Sequence, residues 1–191
     1  GSGVDVDFFS YSDLPQEKIS RVLFPARLLA DKGIHEFVNA ARHILSQRSD
    51  VEFLLAGGLD LSNPSAVSRS DIESWTEEGI VNWLGEVQDM RSLYRRSNII
   101  CLPSYREGLP KSLLEAASSG RPVVAADVPG CREICRDGEN GFLVPVKDAT
   151  TLAVVLQKLL DDFELCGQLG LRGRKIVESE FSGRIINSLF L

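Results

Sequence analysis

The chain has 191 residues, of which 43% are hydrophobic and 25% are charged, and its formal net charge is −6. This apolar content supports a buried core and argues against a disordered chain. The acidic balance argues against binding to a nucleic-acid backbone, which requires a basic surface. No apolar run approaches the roughly 20 residues that span a bilayer and no signal segment opens the sequence, so we predict neither a membrane span nor secretion.

The cysteine pattern also limits the class of protein. The sequence has only four cysteines, too few and too scattered for a disulfide framework: Cys101, Cys131, Cys135 and Cys166. The closely spaced pair lacks the second pair of ligands that a zinc site needs, and the two histidines lie far away in sequence. We therefore expect reduced structural thiols, no bound metal and a cytoplasmic location.

Apolar runs alternate with amphipathic segments along the chain. The strands are predicted at 21–27, 51–57, 80–85, 98–104, 122–127 and 142–146. The helices are predicted at 34–48, 66–78, 89–97, 110–120, 149–161 and 163–180. Several strands are continuous apolar runs, which indicates burial on both faces and hence a parallel sheet covered by helices. The sequence therefore predicts an α/β fold, a single Rossmann-like domain with a parallel sheet of about six strands flanked by helices.

The two ends of the chain differ from this pattern. Residues 1–17 carry no strong periodicity and are interpreted as an interdomain linker that leads into the Rossmann-like domain at 18–180. The tail at 181–191 is apolar and is predicted to start a C-terminal helix. Its apolar side chains, which include Leu189, Phe190 and Leu191, either pack on this domain or continue to a partner domain.

Candidate ligand-binding residues follow the strands, because ligands of an open parallel sheet bind beyond the carboxyl ends of its strands. Arg27 and Lys32 follow the first strand and lie five residues apart. Two such cations could bind a diphosphate through charge-assisted hydrogen bonds. The alternative is that Arg27 pairs with a surface acid while Lys32 faces solvent.

The residues after the fourth strand are the most informative. Gly108 allows close approach of a ligand to the backbone, and Pro110 and Lys111 open a helix whose first amides and partial positive charge attract anions. Glu107 precedes this helix and Glu115 lies in its second turn, where a carboxylate could accept hydrogen bonds from sugar or ribose hydroxyls. The alternative is that Glu107 caps the helix and Glu115 is a solvated charge.

Glycines also follow the second and third strands. Gly58 and the segment Gly85–Val87 stand at these positions, where glycine can equally reflect turn formation alone. The sequence contains no phosphate-binding loop of the Walker type and no G-x-G-x-x-G after a strand, which argues against a P-loop kinase and a dinucleotide dehydrogenase.

Together these motifs resemble those of retaining glycosyltransferases of family 4, the group 1 glycosyltransferases. Glu107 and Glu115 match the family's E-x7-E signature in the segment E-G-L-P-K-S-L-L-E-A. Five further motifs match in order: Arg27-Leu-x3-Lys32-Gly33, Val81-x-Trp83-Leu84-Gly85, Asp127-Val-Pro-Gly130, Asp137-Gly-x-Asn140-Gly141 and Glu180-Phe-Ser182. The resemblance covers nearly the whole chain, and the residues within the motifs are most similar to those of bacterial enzymes that build surface polysaccharides.

The resemblance implies the C-terminal, donor-binding half of a two-domain GT-B enzyme. It implies that a nucleotide diphosphate sugar, with UDP the preferred nucleotide, binds here. The saccharide or lipid-linked acceptor would bind to an N-terminal domain absent from this chain, so the chain alone is expected to be inactive. The full-length enzyme could bind the inner face of the membrane. No cofactor, metal or nucleic-acid partner is implied.

The resemblance also implies roles for individual residues. Arg27 and Lys32 would hold the diphosphate, Glu115 the ribose hydroxyls, and Glu107 would lie beside the reacting sugar as the catalytic carboxylate. The remaining donor contacts would come largely from backbone at Gly58, Gly85, Val87, Gly108, Leu109, Pro110 and Lys111. One departure is Ala26, which stands where the family usually has glycine.

Two other classes of function compete with this interpretation. A nucleotide-sugar epimerase is not expected to combine R-L-x3-K-G with E-x7-E. A phosphorylase of similar architecture would need a cofactor-anchoring lysine, for which the sequence shows no recognisable context. A non-catalytic nucleotide-binding α/β module, such as a receiver-like domain, would require an acidic cluster after the first strand, where this chain has Arg27.

Overall fold

A computed structural model describes residues 3–188 of the chain. Its strands are β1 (Ser20–Phe24), β2 (Val51–Leu55), β3 (Asn82–Trp83), β4 (Ile99–Leu102), β5 (Val123–Ala126) and β6 (Gly141–Val144). They form one sheet in the order β3-β2-β1-β4-β5-β6, and every neighbouring pair is parallel. The predicted α/β fold with six parallel strands is confirmed.

Helices cover both faces of this sheet. They are α1 (Ile34–Leu45), α2 (Arg69–Glu77), α3 (Met90–Arg95), α4 (Lys111–Ser118), α5 (Pro129–Arg132), α6 (Ala149–Leu160), α7 (Phe163–Ile176) and α8 (Gly183–Ser188). Four of them begin at a side chain that accepts a backbone N–H hydrogen bond from the first turn: Ser68, Asp89, Asp148 and Asp162. Such caps stabilise a helix by about 1 kcal/mol each.

Successive strand residues supply two separate cores. Val22 and Phe24 of β1 pack in a core that includes residues of α1, α6 and α7, whereas Leu23 points to the opposite face and packs in a core formed with α3, α4 and α5. Since side chains alternate along a strand, a strand buried on both faces must be apolar at every position. The continuous runs in the sequence therefore indicated the two-sided burial correctly.

The structure differs from the predicted elements mainly at their ends. The strand predicted at 80–85 has only the two residues of β3, and the helix predicted to reach residue 180 ends as α7 at Ile176 and continues as a π-helical turn, Val177–Phe181. A 3-10 turn, Ala30–Lys32, and the four-residue α5 were not predicted. Such short elements contain too few residues to show a hydrophobic period.

The N-terminal segment, residues 3–17, packs along the domain. The backbone of Val4 is hydrogen-bonded to Phe181 and Gly183, at 2.9 and 3.0 Å. Arg174 of α7 donates from Nη1 to the carbonyl oxygens of Val6 and Phe9, both at 2.9 Å. The predicted role of residues 1–17 as an interdomain linker stays a prediction. In the tail, α8 begins at Gly183, and the last three apolar residues of the chain lie outside the described residues.

Arg121 also holds this segment. It lies between α4 and β5 in sequence, and its side chain is fully buried. From Nη2 it donates to the carbonyl oxygens of Ser12 and Asp13, at 2.6 and 3.2 Å. Further bonds reach the carbonyl oxygens of Ser97 and Ser119, both at 3.3 Å. Burial lowers the pKa of Arg121 to about 10, so the side chain still carries its charge at neutral pH.

All four cysteines are buried and unpaired. Burial raises the pKa of both the Cys131 and the Cys166 thiol to about 12, so neither is a thiolate at neutral pH. Among residues 3–188, no group of three His, Cys, Asp or Glu side chains is placed to hold a metal ion. Nor does any helix in this range have the length and apolar character needed to cross a bilayer.

Candidate functional site

The direction of the strand order reverses between β1 and β4, the two central strands. Loops that leave these strands turn to opposite sides, which opens a crevice at their carboxyl ends and makes this place the usual ligand site of such sheets. The loop after β1 carries Arg27 and Lys32, and the loop after β4 carries Glu107. The two loops are bonded to each other, because the carbonyl oxygen of Asp31 accepts from the Tyr105 N–H at 2.8 Å.

Two adjoining hollows occupy this crevice. The larger hollow has a volume of about 450 Å³, and residues that follow β1, β2 and β3 line it together with α4. The smaller hollow has a volume of about 210 Å³, and its lining includes Lys32 and Glu107. Both are lined by Pro25, Ala26, Arg27, Lys111 and Ser112, so they form one continuous cleft.

Most of the predicted site residues line this cleft. The larger hollow contains Arg27, Gly58, Val87, Lys111 and Glu115, and the smaller hollow contains Arg27, Lys32, Glu107, Pro110 and Lys111. Gly85, Gly108 and Leu109 line neither hollow. Gly85 adopts a left-handed φ of 69° next to the lining residue Glu86, and Leu109 packs against the core that contains α4.

Lys32 and Glu107 form a short ion pair in the smaller hollow. The Lys32 Nζ atom lies 2.6 Å from Glu107 Oε1, and the two side chains are only 24% and 10% exposed. The alternative that Lys32 faces solvent is therefore wrong for this structure. An ion pair so shielded from water interacts more strongly than a surface pair, and an anion entering the hollow would compete with Glu107 for Lys32.

Arg27 pairs with Asp60, an acid that no motif in the sequence distinguishes. Its Nη1 atom donates to Asp60 Oδ2 at 2.8 Å, and the Arg27 side chain is 59% exposed. This is the surface pair that the sequence left open as an alternative for Arg27. Both residues line the larger hollow, so the guanidinium faces the cleft while it is bonded to Asp60.

The segment after β2 supports the loop that carries both cations. The N–H of Ala30 donates to the carbonyl oxygen of Ser65 at 2.7 Å, and the N–H of Asp31 donates to Ser65 Oγ at 2.8 Å. The N–H of Leu28 donates to the carbonyl oxygen of Gly58 at 3.1 Å. Residues 58–67 thus fix the backbone on which Arg27 and Lys32 are placed.

Glu115 lies on α4 with its carboxyl group facing the larger hollow. Tyr94 donates from its hydroxyl group to Glu115 Oε2 at 3.1 Å, and Lys111 Nζ lies 4.0 Å from Oε1. Burial raises the pKa of Glu115 above its ordinary value of 4.5, and the bond from Tyr94 and the charge of Lys111 offset this only in part. Glu115 is therefore a partly desolvated hydrogen-bond acceptor, and the alternative that it is a solvated charge is wrong for this structure.

This desolvation predicts a pH-dependent stability. A carboxyl group whose pKa is raised in the folded state lowers the free energy of unfolding at pH values above that raised pKa. This destabilisation decreases as the pH falls through the raised pKa. Glu115→Gln removes the desolvated carboxylate and with it this destabilisation. We therefore expect the variant to be more stable than the wild type at pH 7 and the difference in free energy of unfolding to shrink towards pH 4. Urea unfolding at several pH values measures it. Glu86→Gln, an exposed carboxylate of the same hollow, is the control and should show no such trend.

Several lining residues were missed by the sequence analysis. Asp60 and Met90 line the larger hollow, as do Tyr94 and Ser112. Asp60 belongs to a polar segment without periodicity, and Tyr94 lies within a helix whose apolar positions indicate only packing. For Ser112 a signal was available, since it lies in the first turn of α4 beside the predicted Lys111.

Comparison with solved structures shows which known proteins share this fold. The structure of HepE from Anabaena in complex with UDP superposes with a TM-score of 0.86 at 23% identity, over 98% of this chain and 54% of that one. The C-terminal domain of the group 1 glycosyl transferase LpcC from Francisella tularensis superposes with a TM-score of 0.77 at 24% identity, over 95% of this chain and 100% of that one. The fold therefore matches the Rossmann-like domain of GT-B glycosyltransferases.

The sequence comparisons identify the family. The family model described as "Glycosyl transferases group 1" matches residues 19–162, and the chain belongs to this family. A capsular polysaccharide biosynthesis glycosyltransferase, CapM of Staphylococcus aureus, is 33% identical over 163 residues. That alignment covers 85% of this chain but 42% of CapM, so the chain spans less than half the length of this relative.

Proposed function

We propose that this chain is the donor-binding domain of a retaining glycosyltransferase that transfers a sugar from a nucleotide diphosphate sugar. The observation that carries the proposal is the cleft itself, in which Arg27, Lys32, Glu107 and Glu115 converge from two loops and a helix. UDP is the preferred nucleotide because the similar fold of HepE was solved with UDP bound. A role in bacterial surface polysaccharide synthesis is supported by the similarity to CapM.

Different parts of the donor would occupy the two hollows. The larger hollow would take the nucleoside, with Glu115 accepting from the ribose hydroxyls and the backbone of Gly58 and Gly85–Val87 beside the base. Arg27 lines both hollows and Lys32 the smaller one, so a diphosphate bridging them would exchange the contacts of these cations with Asp60 and Glu107 for its own oxygens. Backbone N–H groups of Gly108, Leu109 and Lys111 would face the sugar and phosphate at the start of α4, with Pro110 between them.

The chemistry needed is stabilisation of the leaving group. Breaking the bond between the sugar and the diphosphate leaves negative charge on the phosphate oxygens, and Arg27, Lys32 and the N-terminus of α4 stabilise that charge. Freed from Lys32, Glu107 would lie beside the reacting sugar as the catalytic carboxylate. Because positive charge comes from the protein, we propose that neither a metal ion nor another cofactor is required.

The acceptor would bind elsewhere. A saccharide or lipid-linked saccharide would be held by an N-terminal domain, for which the greater length of CapM leaves room. The 191-residue chain would then bind donor without transferring sugar. The whole enzyme would work in the cytoplasm, at the inner face of the membrane where lipid-linked acceptors are found.

A calorimetric titration of the 191-residue chain with UDP, GDP and ADP tests this function. We expect UDP to bind, and Arg27→Ala and Glu115→Ala each to weaken binding by about tenfold or more, since each removes a charge-assisted hydrogen bond. The matched control is Arg172→Ala, the same change at an exposed position of α7, which should bind UDP as the wild type does. EDTA should leave the affinity unchanged. Absence of binding by all three nucleotides would refute the proposal.

A further inference from the structure

Tyr94 connects the core of the domain to the carboxyl group of Glu115. It lies in α3, is 0% exposed and lines the larger hollow. Its hydroxyl group donates to Glu115 Oε2 at 3.1 Å, a bond between α3 and α4 that joins two residues 21 positions apart in sequence. A buried tyrosine hydroxyl requires a partner, and here that partner is a residue of the candidate site.

The aromatic ring of Tyr94 is itself held in place. Phe9 of the N-terminal segment packs edge-on against it with the ring centroids 6.1 Å apart, and the surrounding core includes Leu93 and residues of α4. Because packing fixes the ring, the hydroxyl group has a fixed position from which to donate. Removing only the hydroxyl group leaves these apolar contacts intact.

The hydrogen bond constrains a side chain that would otherwise rotate. A glutamate has three rotatable bonds, and its carboxylate offers about four lone-pair positions on two oxygens. The bond from Tyr94 takes one position on Oε2, whereas Oε1 is paired only with the exposed Lys111, whose Nζ atom lies 4.0 Å away and whose side chain is 73% exposed. The plane of the carboxylate is therefore set by Tyr94, and Oε1 stays available to a ligand hydroxyl.

We propose that Tyr94 is a positioning residue that aims the Glu115 carboxylate at the ribose hydroxyls and so determines how strongly the site prefers a ribonucleotide over one that lacks these hydroxyls. The inference rests on the proposed function, because it assigns the larger hollow to the nucleoside. It adds a residue that the E-x7-E motif does not contain and that acts on the ligand through Glu115.

The test compares two ligands across variants. UDP and 2′,3′-dideoxy-UDP are titrated calorimetrically into wild type, Tyr94→Phe and Tyr105→Phe, and the ratio of the two dissociation constants is measured. We expect Tyr94→Phe to reduce the preference for UDP by about threefold to tenfold, the usual value of one oriented hydrogen bond. Tyr105→Phe is the matched control. It also removes a phenol bonded to a glutamate, Glu36 at 2.7 Å, but lines neither hollow, so its ratio should equal that of the wild type.

A double variant separates positioning from loss of stability. In the background of Glu115→Gln the preference for UDP should already be small, and adding Tyr94→Phe should not reduce it further. A general loosening of the fold would lower the affinity for both ligands and leave their ratio unchanged. An unchanged ratio in Tyr94→Phe, with tight UDP binding by the wild type, overturns the inference alone. Failure of the wild type to bind either ligand overturns the proposed function and this inference with it.

Discussion

Gly130→Ala is expected to weaken UDP binding at least tenfold and to lower the free energy of unfolding by about 1 to 3 kcal/mol, the usual effect of overpacking a buried site. Gly130 is buried in α5, where an added Cβ would lie 1.9 Å from the carbonyl oxygen of Gly108 and 2.3 Å from that of Glu107. Both are backbone atoms and cannot rotate away. The loop that carries Glu107 must therefore move, and the contact between Glu107 and Lys32 changes with it.

Calorimetry with UDP and unfolding in urea measure the two effects of this substitution. Gly167→Ala is the matched control, because a Cβ there meets nothing within 4 Å and the position is inside α7. Alanine favours a helix interior by about 0.5 to 1 kcal/mol over glycine, so we expect a slightly more stable protein with wild-type affinity. Wild-type affinity in Gly130→Ala would show that the position of this loop does not control binding.

Arg121→Met is expected to destabilise the domain by about 3 kcal/mol. Arg121 is fully buried, and its guanidinium donates to the carbonyl oxygens of Ser12, Asp13, Ser97 and Ser119. Methionine fills much of the volume but donates no hydrogen bond. Buried acceptors left without a donor destabilise a fold by about 1 to 3 kcal/mol each, less where water reaches them.

Urea unfolding measures this loss, and Arg172→Met at an exposed position of α7 is the control, expected within about 0.5 kcal/mol of the wild type. Limited chymotrypsin digestion provides a second, local measurement. If Arg121 holds the N-terminal segment, cleavage near Tyr11 should become faster in Arg121→Met under conditions in which the domain stays folded. Equal stability and equal cleavage would contradict the role given to this side chain.

The sheet could be predicted because its signal is local. A strand covered on both faces is apolar at each position, and the amphipathic segments between the strands must be crossovers in a parallel sheet. The positions of Arg27, Lys32, Glu107 and Glu115 followed from the same logic, because strand ends converge at one edge. Their convergence on one cleft is what the structure adds.

The rest of the site depends on contacts between segments distant in sequence. Asp60 meets Arg27 across 33 residues, and Tyr94 meets Glu115 across 21. Nothing in the neighbouring residues of Asp60 or Tyr94 distinguishes them from a surface acid or a core aromatic. The buried Arg121 is a similar case, since a lone arginine between a glycine and a proline is typical of an exposed turn.

Arg121 and Arg174 hold the N-terminal segment in a way that affects how well this segment tolerates amino-acid substitutions. Both guanidinium groups bind main-chain oxygens, at Val6, Phe9, Ser12 and Asp13. Every residue type carries such an oxygen, so the main-chain bonds do not require particular side chains at these positions, whereas at Ser12 the hydroxyl oxygen also accepts from Arg121 Nη2. These two arginines thus hold the N-terminal segment mainly through bonds that a residue of any type could accept.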